Sequence, residues 1–590
     1  MTTTLKAPPA GGAFLLGPTY PADVFTPERF TPEQLAARDA IAEFVAREAA
    51  PRAERIAAKD FAATRELLAI LGRDGYVGID VPEAYGGLGL DHVTSIVVTD
   101  ALSAAIDFSV TYSAHTGIGT LPTVFFGTEA QKQRYLPGLA AGTTVAAYCL
   151  TEPGTGSDAQ AIKTRATRLP DGSFRLDGAK QFITNAGFAD LFTVYARVEG
   201  EGIAAFLVER TTPGLSLGAE EHKMGMHGTS TRPVLLDGVV VGADALLGEI
   251  GQGHKIAFNV LNVGRFKLAA SAVGGMRPEI AHGLEYARGR VAFGRPIVEF
   301  PLVAAKLVGM AVRTYACESL VYRLAGMLDA RLHAADAGVS SEAVRAALEE
   351  YAVECSIAKI LASEELDWVV DELVQLHGGY GYIEDYPAAK AYRDARINRI
   401  WEGTNEINRL LIPGTLLRRA MKGRLDLLGA ARRAQEALLA PSADDTGDGP
   451  LAAQAAQVDA ARQVTLLVAG AAAQRFGMAL DEQQEVLAAV ADLVIQTWAM
   501  DSAVARARQA AAAGHQAAAI HDDLATLCVA QRLSQVEGIA RAIAPTVADG
   551  DDARLLQSGI RRLLRTEPLD QVALGRRIAA SIVAAGGYPV

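Results

Sequence analysis

Apolar residues recur along the chain with two different periods, and the change of period divides it. Between residues 351 and 376 they fall at Tyr351, Cys355, Ala358, Ala362, Leu366, Val369, Leu373 and Leu376. These three- and four-residue steps bury one face of a long helix. The helix must stop at Gly378-Gly379, where backbone freedom replaces helical propensity. Pro387 is placed to open a second helix, and Gly403, Thr404 and Asn405 supply a sharp turn and a capping side chain for a third. Glu402 then sits on a short loop between two helices.

Farther back, TPEQLAARDAIAEFVAREAAPRAERI predicts a helix from about Thr31, with a Thr-x-x-Gln capping box, an apolar stripe and Pro51 as a break. The stretch 76–90 is loop-like, and GTEAQKQRYLPGLAAG at 127–142 reads as turn, short helix, turn. From 146 to about 250 the period shortens. AAYCLTE, FRLDGAKQFIT, LFTVYARV, IAAFLVER and TRPVLLDGVVV are alternating or apolar runs separated by Gly, Pro and Asp, the pattern of a small β domain. A long helix carrying FNVLNVGRFKLAASAVG follows. PSADDTGDGP at 441–450 is a polar Pro/Gly/Asp break ahead of an Ala-rich helical region. The fold class is mainly α with a small central β domain. Its parts are a lead (1–30), a helical domain (31–145), the β domain (146–252), a helical bundle (253–428), a linker (429–450) and an extra helical domain (451–590).

Length and composition narrow this further. A chain of 590 residues, half of them hydrophobic, can bury several cores. Its net charge of −12, with no basic block, argues against nucleic acid as a partner, while leaving room for a local basic groove. Cys149, Cys317, Cys355 and Cys528 are scattered and form no C-x-x-C pair, which suggests a reduced cytoplasmic setting and no structural metal. The first residues lack the features of a signal peptide. No run of about eighteen uninterrupted apolar residues follows, so no membrane-spanning helix is expected.

Glu402 is the leading candidate for chemistry. A carboxyl desolvated beside the bulky ring of Trp401 has its acid form favoured, which moves it towards general-base strength near neutrality. The competing reading is a carboxylate that serves a helix macrodipole. In TEPGTGSDA (151–159), Gly154 and Gly156 let backbone amides approach an anionic or carbonyl-rich ligand, with Thr151 and Ser157 as hydroxyl partners. Hairpin turns share that composition, but KQFITNAG at 180–187 strengthens the ligand reading. Asn262 and Arg265, three apart, share a helix face. TYSAHTGIGT at 111–120 is rich in small residues. Ser113, Ala114 and Gly117 either leave room for a ligand chain or permit close helix packing. No GxGxxG follows a strand, so NAD is not implied.

The stretch QLHGGYGYIEDYPAAKAYRDARINRIWEGTNEINR (375–409) resembles the C-terminal signature of the acyl-CoA dehydrogenase family, with Trp401 where the family usually has Tyr or Phe. The resemblance covers about residues 30–420 and implies FAD as cofactor. By it, Tyr148, Leu150, Thr151, Gly156 and Ser157 line the isoalloxazine and pyrophosphate side, with Phe182, Ile183 and Thr184 on the other strand; Phe182 stands where Trp is common. It further implies that Asn262, Val263, Gly264 and Arg265 bind the CoA moiety, the guanidinium serving an anion or the adenine region. Ser157, Trp401 and Gly403 also face the substrate. In YARGRVAFGRPI (286–297), Arg290 and Phe293 correspond to residues that reach the FAD of a neighbouring subunit, and Ala292 replaces the Gln or Thr often found there. Gln375, His377, Gly378 and Gly379 would meet the adenosine end across that boundary, and Thr404 and Glu406 complete the match.

The extra helical domain is similar to that of the very-long-chain branch of the family and its bacterial relatives, which implies a homodimer in which that domain takes the place of a second dimer. RRLLR at 561–565 offers weak peripheral membrane contact as one reading and a solvated arginine face as the other; the net acidic charge favours the second. The activity implied is α,β-dehydrogenation of a long-chain fatty acyl-CoA in β-oxidation. Glu402 takes the α-proton, the carbonyl oxygen is held by the Glu402 N–H and a flavin hydroxyl, and electrons pass to an electron-transferring flavoprotein. The alternatives are an acyl-CoA oxidase and a non-enzymatic acyl-CoA-binding or assembly factor.

Overall fold

The computed structural model describes residues 8–334, 340–439 and 449–590. At Thr31 the side-chain oxygen accepts from Gln34 N, and Gln34 Oε1 accepts from Thr31 N, starting α1 (Pro32–Phe44). The same device at Thr128 and Gln131 starts α7 (Glu129–Ala140). Between them lie α2 (Ala53–Ala57), α3 (Phe61–Arg73), α4 (His92–Leu102), α5 (Ile106–Ser113) and α6 (Leu121–Phe126). The small-residue stretch joins α5 to α6 as a wide turn, Ala114–Gly119. Gly119 presses on the β domain, since an added Cβ would lie 2.9 Å from that of Ala146; beside Gly117 only Lys267 Cδ comes near, at 3.9 Å.

The β domain holds β1 (Ala146–Cys149), β2 (Arg165–Arg168), β3 (Phe174–Thr184), β4 (Leu191–Val198), β5 (Gly202–Glu209), β6 (Leu215–Leu217), β7 (Thr231–Val241) and β8 (Leu246–Leu247). The strand order is β6-β7-β3-β2-β4-β5-β8. β1 and β2 take successive stretches of one edge of β4, both parallel to it. Phe174, Phe192 and Phe206 centre a core that belongs to this sheet. β3 shifts register against β7 between Lys180 and Ile183, a bulge that turns the backbone at Phe182 to φ +59°.

The bundle comprises α8 (Gly253–Gly289), a hairpin of β9 (Val291–Ala292) and β10 (Arg295–Pro296), α9 (Pro301–His333), α10 (Ser341–Glu350), α11 (Ala352–His377), α12 (Pro387–Ala395) and α13 (Asn405–Met421). The breaks fall where the sequence places them: α11 ends with Gly378 at φ +59°, Pro387 opens α12, and Thr404 caps α13 by accepting from Ile407 N. The first half of the linker expected at 429–450 is helical. α14 (Leu427–Leu439) runs through its first half, because AARRAQEAL is amphipathic and helix-favouring; the remainder, 440–448, lies outside the described residues.

The extra domain then adds α15 (Ala452–Phe476), α16 (Gln484–Ala512), α17 (Ala518–Val547), α18 (Gly550–Leu563) and α19 (Gln571–Ala585). Its α16 is long and apolar enough to cross a membrane, with mean hydropathy 1.3, but 78% of that window is buried as core. Arg561 and Arg562 are exposed, the latter donating to Ala437 O. One apolar core runs unbroken from the first helical domain through the bundle into the extra domain. There Phe14 of the lead stacks on Trp498 at 5.5 Å. The extra domain is therefore fused to the bundle rather than strung beside it.

Candidate active site

Glu402 lies on the tight loop between α12 and α13 with φ +56°, a conformation few side chains other than glycine adopt readily; Gly403 follows at φ +78°. The carboxyl rests on the bare backbone of Gly264 in α8. A Cβ there would fall 2.4 Å from Glu402 Oε2. Oε2 is buried and has no hydrogen-bond partner among the described residues. Loss of solvent pushes the carboxyl up to about 7, with the cations Arg265 and Lys359 opposing the shift. An unpaired carboxyl near neutrality is suited to accept a proton from a weak carbon acid.

The loop is held from three sides. Arg265 Nε donates to Glu402 O at 3.1 Å and its Nη1 to Asn262 Oδ1 at 3.0 Å. Lys359 Nζ donates to Gly403 O at 2.8 Å, and Asn408 Nδ2 donates to the same carbonyl at 2.8 Å. The expectation that Arg265 serves an anion of CoA is corrected by this geometry: the guanidinium is buried and committed to the Glu402 loop. Trp401, half-buried, turns its indole N–H to Asn398 Oδ1 at 3.1 Å. Tyr148 on β1 lies within electrostatic reach of Glu402 and Arg265.

The two β-domain motifs meet as a pair. Gln181 N donates to Thr151 O at 2.9 Å, and Lys180 Nζ donates to Glu152 Oε1 at 2.8 Å and Leu150 O at 3.2 Å. Glu152 also accepts from Lys163 N and Thr164 N, so one buried carboxylate ties the 151–159 loop to β3. The bulge presents Phe182 outward, 61% exposed, next to Thr184. Gly154 and Gly156 face open space, Ser157 is exposed, and Thr155 Oγ1 is buried without a partner. Leu150, Ile183 and Val263, expected at ligand surfaces, are core side chains instead. For Ile183 the cause is the alternation that resumes after the bulge; such residues can offer a ligand only their backbone.

A second group lines a cavity of about 720 Å³ between α8, the β9–β10 hairpin and the end of α11. Arg290, Phe293, Gln375, His377, Gly378 and Gly379 all border it. Phe293 is 95% exposed, and Gly378 and Gly379 have nothing within 4 Å of an added Cβ. The His377 ring stacks on Tyr286 at 4.2 Å, and its Nδ1 pairs with Leu373 O at 2.9 Å. The histidine thus has a structural bond as well as an edge on the cavity. Thr404 serves as the cap of α13, and Glu406 is exposed in its first turn.

An open Gly/Ser/Thr loop, an outward aromatic ring and an apolar cavity edged by an arginine fit an elongated aromatic dinucleotide such as FAD. Sequence reasoning missed Glu152, Lys180, Lys359 and Asn408, and gave Asn405 only a turn-and-capping role. The one signal for Lys359 was a lone lysine beside the apolar stripe of α11.

Comparison with known proteins agrees with this arrangement. Models of the acyl-CoA dehydrogenase N-terminal, middle and C-terminal domains match residues 31–143, 147–239 and 251–417, and a further acyl-CoA dehydrogenase C-terminal domain matches 460–562. A probable acyl-CoA dehydrogenase of Bacillus subtilis is 44% identical over 584 residues, 98% of each chain. The human mitochondrial very long-chain specific acyl-CoA dehydrogenase is 38% identical over 349 residues, 57% of this chain and 51% of that one. A crystal structure of an acyl-CoA dehydrogenase complexed with FAD from Bacillus anthracis superposes with a TM-score of 0.97 at 44% identity, covering 99% of this chain and 100% of that one. The matches to these two Bacillus proteins extend over the extra domain, and the chain belongs to the acyl-CoA dehydrogenase family.

Proposed function

We propose that this chain is an FAD-dependent dehydrogenase that converts long-chain fatty acyl-CoA to trans-2-enoyl-CoA and passes the electrons to an electron-transferring flavoprotein. The observation that carries the reading is the Glu402 carboxyl, seated on Gly264, unpaired at Oε2 and raised to about 7. A proton α to a thioester is weakly acidic, so its removal requires a base of this strength and stabilisation of charge growing on the carbonyl oxygen. Glu402 takes the proton, Arg265 and Lys359 favour its ionised form beforehand, and Gly264 leaves room for the carboxyl and the thioester. FAD, when bound, supplies the two-electron acceptor. Thr151, Ser157, Phe182 and Thr184 would hold it on the β-domain side, with Arg290, Phe293, Gln375 and Gly378-Gly379 at the cavity.

The chain-length class is supported by the extra helical domain, which resembles that of the very-long-chain branch. Exposed Phe293, Leu302 and Tyr382 support a homodimer whose second copy covers this face, and four buried, unpaired cysteines support a reducing cytoplasmic setting. The test is the visible spectrum of the purified protein during anaerobic addition of palmitoyl-CoA. A flavin band that bleaches is the expected result, and Glu402→Gln keeps the band but does not bleach. A colourless protein that refuses FAD, or bleaching retained in Glu402→Gln, overturns the assignment. Peroxide release at the full turnover rate would make the acceptor oxygen. Because the base must be ionised, kcat/KM rises with pH through about 7.

A further inference from the structure

We propose that the extra helical domain holds the Glu402 loop in working position through a chain of side-chain hydrogen bonds, with Lys359 as the positioning residue that completes it. This rests on Glu402 being the base. The loop has little stiffness of its own, since two successive residues lie in the left-handed region. Lys359, fully buried on α11, grips it by donating to Gly403 O at 2.8 Å and to Asn405 Oδ1 at 2.6 Å. Asn405 Nδ2 donates in turn to Ser363 Oγ at 3.0 Å and to Glu364 Oε1 at 3.0 Å. Arg409 on α13 grips Glu364 in a two-pronged pair, at 2.7 and 2.9 Å, and its Nε donates to Asp492 Oδ1 at 2.8 Å. Asp492 belongs to α16 in the extra domain.

Every link is a short, oriented bond, and the two-pronged pair fixes angle as well as distance. The neighbouring residue Glu365 is held in parallel by Arg532 of α17 at 2.7 Å, so the extra domain reaches α11 directly at Glu365 and through Arg409 of α13 at Glu364. A lysine is a costly way to anchor a loop, because burial disfavours its charge and pulls it down to about 7. An uncharged donor could make the same two bonds. The charge faces Glu402, Glu364 and Glu406, with Arg265 opposing it. Lys359 therefore couples loop position to the ionisation of the base. The extra domain acquires a role in the reaction beyond packing.

The experiment uses the full-length FAD-loaded protein and three variants, Lys359→Met, Lys359→Arg and Asp492→Asn. Displacing a reacting group by about 1 Å costs on the order of 100-fold in rate. Lys359→Met should keep its flavin and its KM for palmitoyl-CoA, lose roughly 10- to 100-fold in kcat, and move the low-pH limb of kcat/KM to higher pH. Lys359→Arg, retaining the charge, should keep that limb in place. Asp492→Asn should lower kcat a few-fold with the limb unmoved, and combined with Lys359→Met should cost little more than Lys359→Met alone. Backbone hydrogen exchange over 397–410 should quicken in both Lys359→Met and Asp492→Asn, a readout independent of which substrate is turned over. Effects on kcat that multiply in the double variant, or exchange unchanged by Asp492→Asn, overturn the proposal. A wild-type protein that fails to bleach with acyl-CoA while exchange still responds would overturn the assigned reaction and leave the mechanical link standing.

Discussion

Gly264 matters for what it lacks. The space a side chain would fill is occupied by the Glu402 carboxyl, so Gly264→Ala must move that carboxyl. The expected result is a fall in kcat on the order of 100-fold with flavin content unchanged, measured by steady-state turnover and the visible spectrum. The place of Glu402 on a tight loop was legible in the sequence because a turn-forming EGT run between helix signals is a local pattern, whereas its part as a base came from the family resemblance. The role of Gly264 was not legible: a glycine inside a helix says that something approaches closely, never what. Lys359 was hidden for a related reason, since its partners Gly403 and Asn405 lie more than forty residues downstream.

Among elements, β3 shows how far a pattern carries. Its run FRLDGAKQFIT announces a strand, and one is present over Phe174–Thr184. The bulge that aims Phe182 outward is set by pairing with β7 and cannot be read from alternation alone. β2 escaped because RATR is polar at three of its four positions, an edge-like sequence given strand geometry by its neighbours on both sides. The bulge is braced by the buried pair of Lys180 and Glu152. Lys180→Met leaves that carboxylate without its counter-ion at a cost of about 3–5 kcal/mol. Chemical denaturation should show the loss, and the protein should release FAD at lower denaturant than the parent.

At the scale of the whole molecule, the parts meet in one buried ion cluster. Glu318 of α9 accepts from Arg277 Nη1 at 2.5 Å, Arg506 Nη1 at 2.7 Å and Tyr588 Oη at 2.9 Å. Arg277 also pairs with Asp100 of α4, and Arg506 with Glu28 of the lead. Domain order was readable from changes of period, but this cluster was not, because its members are spread from residue 28 to residue 588. Arg506→Met takes the guanidinium from Glu28 and leaves Glu318 with Arg277 and Tyr588, and should destabilise the fold by about 3–5 kcal/mol. Limited proteolysis should then cut within the first thirty residues well before it cuts the bundle.

The cluster also sets an order of events during synthesis. Glu318 leaves the ribosome almost two hundred residues ahead of Arg506 and 270 ahead of Tyr588. Until those arrive, this interior carboxylate has Arg277 alone among its three partners in the cluster. Nascent chains of this protein should therefore stay sensitive to protease around α9 until Arg506 has been made. A chain that stops short of Tyr588 leaves Glu318 with one hydrogen-bond donor fewer and should unfold at lower denaturant than the parent.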